Sequence, residues 1–203
     1  MFTLNYGLTR KLELGINAPL ITFINSRVVE SGNVSGIGDV QFGVKYRLRD
    51  EKEGSRLPAL AAVFYIEAPT GSTQRELGSG LYDYWVYGIA QKSMPKKTTV
   101  RLNGGVLFSG NSSTGLIGIR TERGQVYTGN VSLVRDYSDK LTLGAEVFGG
   151  VTNNFQLARG QLTAQAGGHY SLNQKLQLTF GLLAGRFTAS PRAGLHLGFA
   201  YDF

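Results

Sequence analysis

The sequence has no cysteine among its 203 residues, which excludes disulfides, thiolate metal sites and cysteine nucleophiles together. Proline is scarce, with 5 residues, and only 2 histidines are available for metal binding or proton transfer. No segment approaches the roughly 18 consecutive apolar residues of a membrane-spanning helix, so a transmembrane helix is excluded. With no cysteine and few histidines, the sequence offers few of the side chains that metal-dependent or cofactor-dependent chemistry uses.

Glycine is the residue that the sequence has in excess, with 28 copies and no triplet repeat that would indicate collagen. Glycine within strands suits tightly curved sheets and crowded positions. The hydrophobic content is 42% and the mean hydropathy is −0.08. An average this low still permits a membrane barrel, because every second residue of a transmembrane strand can be polar.

The net charge of +7 comes from basic residues that are scattered along the chain. A nucleic-acid-binding protein would concentrate them in a helix or a patch, and no RNA-binding aromatic motif is present. We therefore expect no nucleic-acid partner. The scattered charges are better explained as turns and loops that face anionic lipid headgroups, including those of lipopolysaccharide.

The last ten residues, Gly194 to Phe203, alternate strictly between large apolar and small or polar side chains. This pattern predicts a strand with one apolar face, in a membrane barrel or at the edge of a soluble sandwich. It resembles the C-terminal strand of bacterial outer-membrane barrels, in which a terminal aromatic residue belongs to the insertion signal. We expect the barrel-assembly machinery to recognise the row formed by Leu197, Phe199, Tyr201 and Phe203.

Similar alternation recurs along the whole chain and predicts about eleven strands and no helix, hence an all-β fold. The clearest internal strand is predicted over Ile37 to Leu48. Most connections alternate between short turns and longer polar loops, the latter at 25–36, 69–80 and 111–124. This asymmetry is typical of an antiparallel up-and-down β-barrel in the bacterial outer membrane, with short turns on the periplasmic side.

The strand count gives an expectation about the start of the chain. If the last strand runs down to a periplasmic C-terminus, the first visible strand, Phe2 to Leu8, also runs downward. Bacterial single-chain barrels have an even number of strands, so we expect a twelfth strand and a signal peptide before Met1. Residues 1–203 would then form one barrel domain with a poorly closed seam.

Three short motifs resemble a known family of outer-membrane transporters. They are Tyr6 to Gly15, reading YGLTRKLELG; Gly36 to Val40, reading GIGDV and followed by Lys45-Tyr46; and Ala68 to Gly71, reading APTG. The family is named for the MetA pathway of phenol degradation. The resemblance implies an outer-membrane barrel that passes aromatic or other small hydrophobic compounds. The chain departs from the family at its start, where the leader and one strand are not seen.

If the apolar rows face lipid, the alternate rows face the lumen. Charged side chains there either pair with each other and brace the wall or bias which solute passes. The predicted lumen-lining residues are Glu13, Asp39, Lys45, Arg47, Glu67, Arg101, Glu146, His169 and His196.

A cluster of aromatic residues has two interpretations. It consists of Tyr82, Tyr84, Trp85 and Tyr87. Such residues form girdles where a barrel meets the membrane interface. The alternative to the girdle is a stacking platform for an aromatic solute inside the lumen.

Catalysis is not expected, because a nucleophilic mechanism needs a histidine with an orienting partner and only His169 and His196 are available. We expect no catalytic residue, no metal site and no cofactor. The predicted function is passive transport of small solutes, aromatic or hydrophobic compounds among them, across the outer membrane. The alternative is a structural or adhesive barrel whose lumen is plugged and whose outer loops bind partners.

Overall fold

The computed structural model of the chain describes residues 1–23, 33–109, 124–152, 160–187 and 190–202. In this part of the chain, no helix has the length and apolarity needed to cross a membrane. The strands are β1 (Phe2–Gly7), β2 (Leu12–Ala18), β3 (Leu20–Phe23), β4 (Val34–Ile37), β5 (Val40–Arg49), β6 (Ala59–Ala68), β7 (Asp83–Met94), β8 (Thr98–Ser109), β9 (Gly124–Asp136), β10 (Leu141–Thr152), β11 (Gln161–Ser171), β12 (Leu176–Gly185) and β13 (Ala193–Tyr201).

Eleven of these strands form one sheet in the order β1-β2-β5-β6-β7-β8-β9-β10-β11-β12-β13. Each strand pairs antiparallel with the next, which confirms the predicted all-β, up-and-down architecture and its eleven visible strands. Successive antiparallel pairings leave β1 and β13 running in the same direction. The described residues form no ladder between these two strands. The twelfth strand and the leader stay predictions.

The hairpin of β3 and β4 corrects the predicted loop over 25–36. β4 begins at Val34 and pairs with β3, whereas residues 25–32 lie outside the described part of the chain. The strand predicted over 37–48 is consequently divided, with β5 beginning at Val40. Gly36 lies against the Leu77 side chain and Arg75 Nη2 donates to the Ser35 carbonyl at 2.9 Å, so this hairpin packs with the loop at 69–82. Val34 and Leu77 are accordingly buried. The alternation rule missed β4 because its apolar contact comes from a distant segment.

The apolar rows predicted from alternation lie on one face of the sheet. Val131 is 55% exposed and its neighbour Ser132 is 7% exposed, and the same contrast recurs on other strands. A continuous apolar surface of this extent would be unusual on a soluble protein and is what a barrel presents to lipid. Other members of this outward face are Leu4, Tyr6, Ile16, Phe42, Val44, Phe64, Val86, Leu102, Leu133, Val147, Leu162, Leu182, Leu195, Leu197 and Phe199.

The two ends of the barrel differ in their connections. At the turn end, Thr9, Ser138 and Asn173 each accept two backbone N–H groups from residues two and three positions ahead, which closes a tight turn. At the loop end lie the β3–β4 hairpin and the loop at 69–82. Short turns are periplasmic in outer-membrane barrels, so the turn end corresponds to the periplasmic side.

Candidate functional site in the lumen

The cross-strand register assembles the inward-facing residues into rows that run around the barrel. One row passes from Glu13 to Lys45, Val63 and Tyr87 on adjacent strands. Another passes from Gln91 to Arg101, Ser132, Glu146 and Gln165. The period of two along each strand puts a side chain on the inner face, and the register decides which neighbours it meets.

The predicted charges on β2 and β5 are paired. Lys45 Nζ lies 3.0 Å from Glu13 Oε1 across the two strands, and Arg47 Nη1 lies 3.1 Å from Asp50 Oδ1 at the turn end. All four residues line a cavity of about 680 Å³, which we call the main cavity and which Tyr65, Tyr87 and Arg101 also line. The Glu13–Lys45 pair therefore joins two adjacent strands, whereas the Arg47–Asp50 pair is local to the end of β5.

An aromatic pair forms part of the same wall. The rings of Tyr65 and Tyr87 are stacked, with centroids 6.3 Å apart and planes inclined by 12°. Tyr65 lies directly over Gly43 on the adjacent strand, where a Cβ atom would overlap the ring. The glycine therefore lets the ring lie flat against the barrel wall.

The predicted aromatic cluster divides between the two faces of β7. Trp85 and Tyr87 face inward and, with Phe148 of β10, line a second cavity of about 380 Å³, which we call the aromatic cavity. Tyr84 has the opposite parity and pairs with Ile66 and Phe108, and Tyr82 precedes the strand. The inward pair is positioned for the stacking role and Tyr84 for the girdle role, and both roles stay predictions.

Four predicted ionisable residues converge on a third cavity of about 280 Å³. We call this the charged recess, and Arg101, Glu146, His169 and His196 all line it. Its lining also includes Gly144 and Gly167, which pair directly with each other on β10 and β11. Because these glycines carry no side chain, the wall is indented between the charged groups.

Neutral amide side chains bind Arg101 and Glu146 in the recess. Arg101 donates from Nε and Nη2 to Gln91 Oε1 at 3.1 and 2.8 Å. Glu146 Oε2 accepts a hydrogen bond from Asn130 Nδ2 at 3.0 Å. Among the described residues, neither Arg101 nor Glu146 forms an ion pair.

Two predicted lumen residues occupy a different setting at the loop end. Asp39 lies in the link before β5 rather than within a strand, is 6% exposed, and accepts the N–H groups of Gly71 at 2.8 Å and Ser79 at 2.6 Å. Glu67 accepts a hydrogen bond from Gln41 at 2.7 Å. Neither residue lines the main cavity, the aromatic cavity or the charged recess.

The uncharged members of these sites do not follow from the pattern of charged residues in the sequence. Tyr65, Gln91 and Asn130 face inward by the same period of two, but a search for charged residues passes over them. Their significance depends on the register that places each beside an aromatic or charged partner.

The final strand has the predicted faces. Leu197, Phe199 and Tyr201 share the exposed apolar face of β13, and Phe203 lies outside the described residues. The role of this row as an insertion signal stays a prediction. Within the described ranges, no group of three or more His, Asp or Glu side chains is placed to hold a metal ion.

Solved structures with the same fold are outer-membrane proteins. An outer membrane channel from Pseudomonas putida F1 superposes with a TM-score of 0.72 at 19% identity, covering 98% of this chain and 79% of that one. The NanC porin superposes with a TM-score of 0.67 at 9% identity, covering 99% of this chain and 91% of that one. No protein with curated annotation matches the chain significantly.

These likenesses confirm the barrel fold, and together with the outward apolar face they locate the protein in the bacterial outer membrane. The profile of the family described as the MetA-pathway of phenol degradation matches residues 2–203, almost the whole chain. The chain therefore belongs to this family of outer-membrane β-barrels.

Proposed function

We propose that the protein is a passive outer-membrane channel for small solutes, with aromatic compounds among them. The observation that carries the proposal is the continuity of the inner wall: Tyr87 lines both the main and the aromatic cavity, Glu146 lines both the aromatic cavity and the charged recess, and Arg101 lines both the recess and the main cavity. Neighbouring cavities therefore share part of their lining, as successive solute sites along one lumenal wall would.

The aromatic part of the proposal is supported by the inward rings. Tyr65, Trp85, Tyr87 and Phe148 all line the main or the aromatic cavity. Aromatic side chains favour offset-stacked or edge-to-face contacts with other rings, worth about 0.5–1.5 kcal/mol beyond the burial of area. Contacts this weak favour entry while still allowing release, as a channel requires.

Planar-bilayer recording of the folded protein tests the channel role, and an ion current is the expected result. Flux of benzoate compared with cyclohexanecarboxylate tests the aromatic preference, because the two anions share a charge and a similar shape. We expect faster benzoate flux, and loss of the difference in Tyr87→Leu. Equal flux in the unsubstituted protein would contradict the aromatic preference.

The alternative of a structural or adhesive barrel has one observation in its favour. The loop at 69–82 is packed and held by hydrogen bonds to Asp39, as a surface for binding partners would be. Absence of any current from protein shown to be folded would contradict the channel and favour this alternative.

A further inference from the structure

The charged recess holds two opposite charges that remain separate. Arg101 and Glu146 belong to one row and are separated by a single residue, Ser132 on β9. Their backbones are therefore two strand spacings apart, each about 4.8 Å. By contrast, Glu13 and Lys45, which are directly paired on adjacent strands, form an ion pair at 3.0 Å.

The hydrogen bonds explain why the two charges do not meet. Gln91 draws the guanidinium of Arg101 toward β7, and Asn130 holds one oxygen of the Glu146 carboxylate. These contacts leave Nη1 of Arg101 and Oε1 of Glu146 available to a ligand. Arg101 is exposed to the lumen and Glu146 is partly exposed, so a solute can reach both.

From this arrangement we infer that the recess binds small zwitterions of the amino-acid type, with the carboxylate on Arg101 and the ammonium group on Glu146. Arg101 and Glu146 have opposite charges, so the two side chains together favour neither a simple anion nor a simple cation. A solute that carries both charges satisfies both groups, whereas a singly charged solute leaves one of them without a counter-charge. The inference rests on the proposed channel function, because it names a class of solute for the same lumen.

The neighbouring aromatic cavity indicates which zwitterions fit best. Glu146 lines both that cavity and the recess, and Phe148 lies two residues further along β10. A solute whose ammonium group contacts Glu146 can therefore place a ring against Phe148 or Trp85. Phenylalanine has both features and serves as the probe.

Titration calorimetry with the folded protein in detergent tests the inference. The ligands are phenylalanine, 3-phenylpropanoate, which lacks the ammonium group, and phenethylamine, which lacks the carboxylate. We expect phenylalanine to bind about tenfold more tightly than either analogue, since each lost charge-assisted contact costs an affinity factor of this order. Equal binding of the three ligands would overturn the inference.

Substitutions then test which charged group of the ligand each residue binds. Arg101→Gln is expected to abolish the preference for phenylalanine over phenethylamine, and Glu146→Gln the preference over 3-phenylpropanoate. Arg135→Gln is the control, because Arg135 lies over the ring of Tyr137 and lines none of the three cavities. Unchanged preferences in both recess variants would overturn the inference.

The double variant Arg101→Glu/Glu146→Arg exchanges the two charges. It tests whether a preference lost in the single variants is lost only because those variants misfold. It keeps both charges in one row and is expected to retain the preference for phenylalanine over both analogues. Loss of that preference in a folded double variant would count against the inference. Ion current without a preference for phenylalanine would overturn the inference and leave the channel function standing, whereas absence of current would contradict the channel whatever the calorimetry shows.

Discussion

Tyr65 and Tyr87 stack diagonally across β6 and β7, since Tyr65 is paired in register with Trp85 and Tyr87 with Val63. Diagonal neighbours lie within reach of long aromatic side chains. The ring of Tyr65 can occupy this position because Gly43 and Gly15 have no side chains that would fill the space beside it. The stack therefore depends on residues of four strands.

Gly43→Ala is expected to displace the Tyr65 ring and to destabilise the barrel by about 1–3 kcal/mol, because the new methyl group would overlap the ring. Thermal unfolding in detergent measures the loss, and near-ultraviolet circular dichroism reports on the stacked tyrosines. Gly88→Ala is the control, since a Cβ there meets nothing within 4 Å. Equal effects of the two substitutions would contradict the role given to Gly43.

Asp39→Ala is expected to loosen the loop at 69–82. The carboxylate accepts two backbone N–H groups, and a hydrogen bond to a charged group is worth about 1.5–3 kcal/mol. Trypsin should therefore cleave after Arg75, within this loop, much faster than in the unsubstituted protein. Asp139→Ala removes an exposed ion pair of 3.9 Å at the turn end and should leave the cleavage rate unchanged.

Glu51, in the connection between β5 and β6, gives the protein a dependence on pH. Hydrogen bonds from Lys92 and from the backbone of Ser93 lower the pKa of the Glu51 carboxyl below its ordinary value of 4.5. Its stabilising contribution is therefore complete above that value and is lost as the pH falls through the lowered pKa. Unfolding temperatures measured from neutral pH to below 4.5 should fall less steeply in Glu51→Gln. An identical slope would show that another group is responsible.

Val131→Arg tests which face of the sheet contacts lipid. An arginine on the lipid face costs about 2–4 kcal/mol near the middle of the bilayer, whereas a lumenal arginine meets water. Thr128→Arg, on the inward face of the same strand, is the matched control. Folding into lipid vesicles, followed by gel mobility with and without heating, compares the two. A lower folding yield of Thr128→Arg than of Val131→Arg would mean that Thr128 faces the lipid and Val131 faces the lumen.

Much of the barrel could be predicted because its strands follow a local rule. The alternation of Arg101 with Leu102, or of Ser132 with Val131, is visible in the sequence and assigns each side chain to a face. The β3–β4 hairpin could not be predicted in this way. Gly36 lies against the Leu77 side chain, and the Asp39 carboxylate is bound by Gly71 and Ser79, so both settings depend on contacts more than thirty residues apart.

The sequence by itself predicted about eleven strands and, on most of them, which side chains share a face, because a period of two is a property of each strand alone. It did not predict the position of Asp39, which lies in the link before β5. The tertiary structure decided which of the inward residues meet. Register pairs Glu13 with Lys45, whereas it puts Ser132 between Arg101 and Glu146. Register is a relation between strands, and it therefore decides which inward charges meet in an ion pair and which do not.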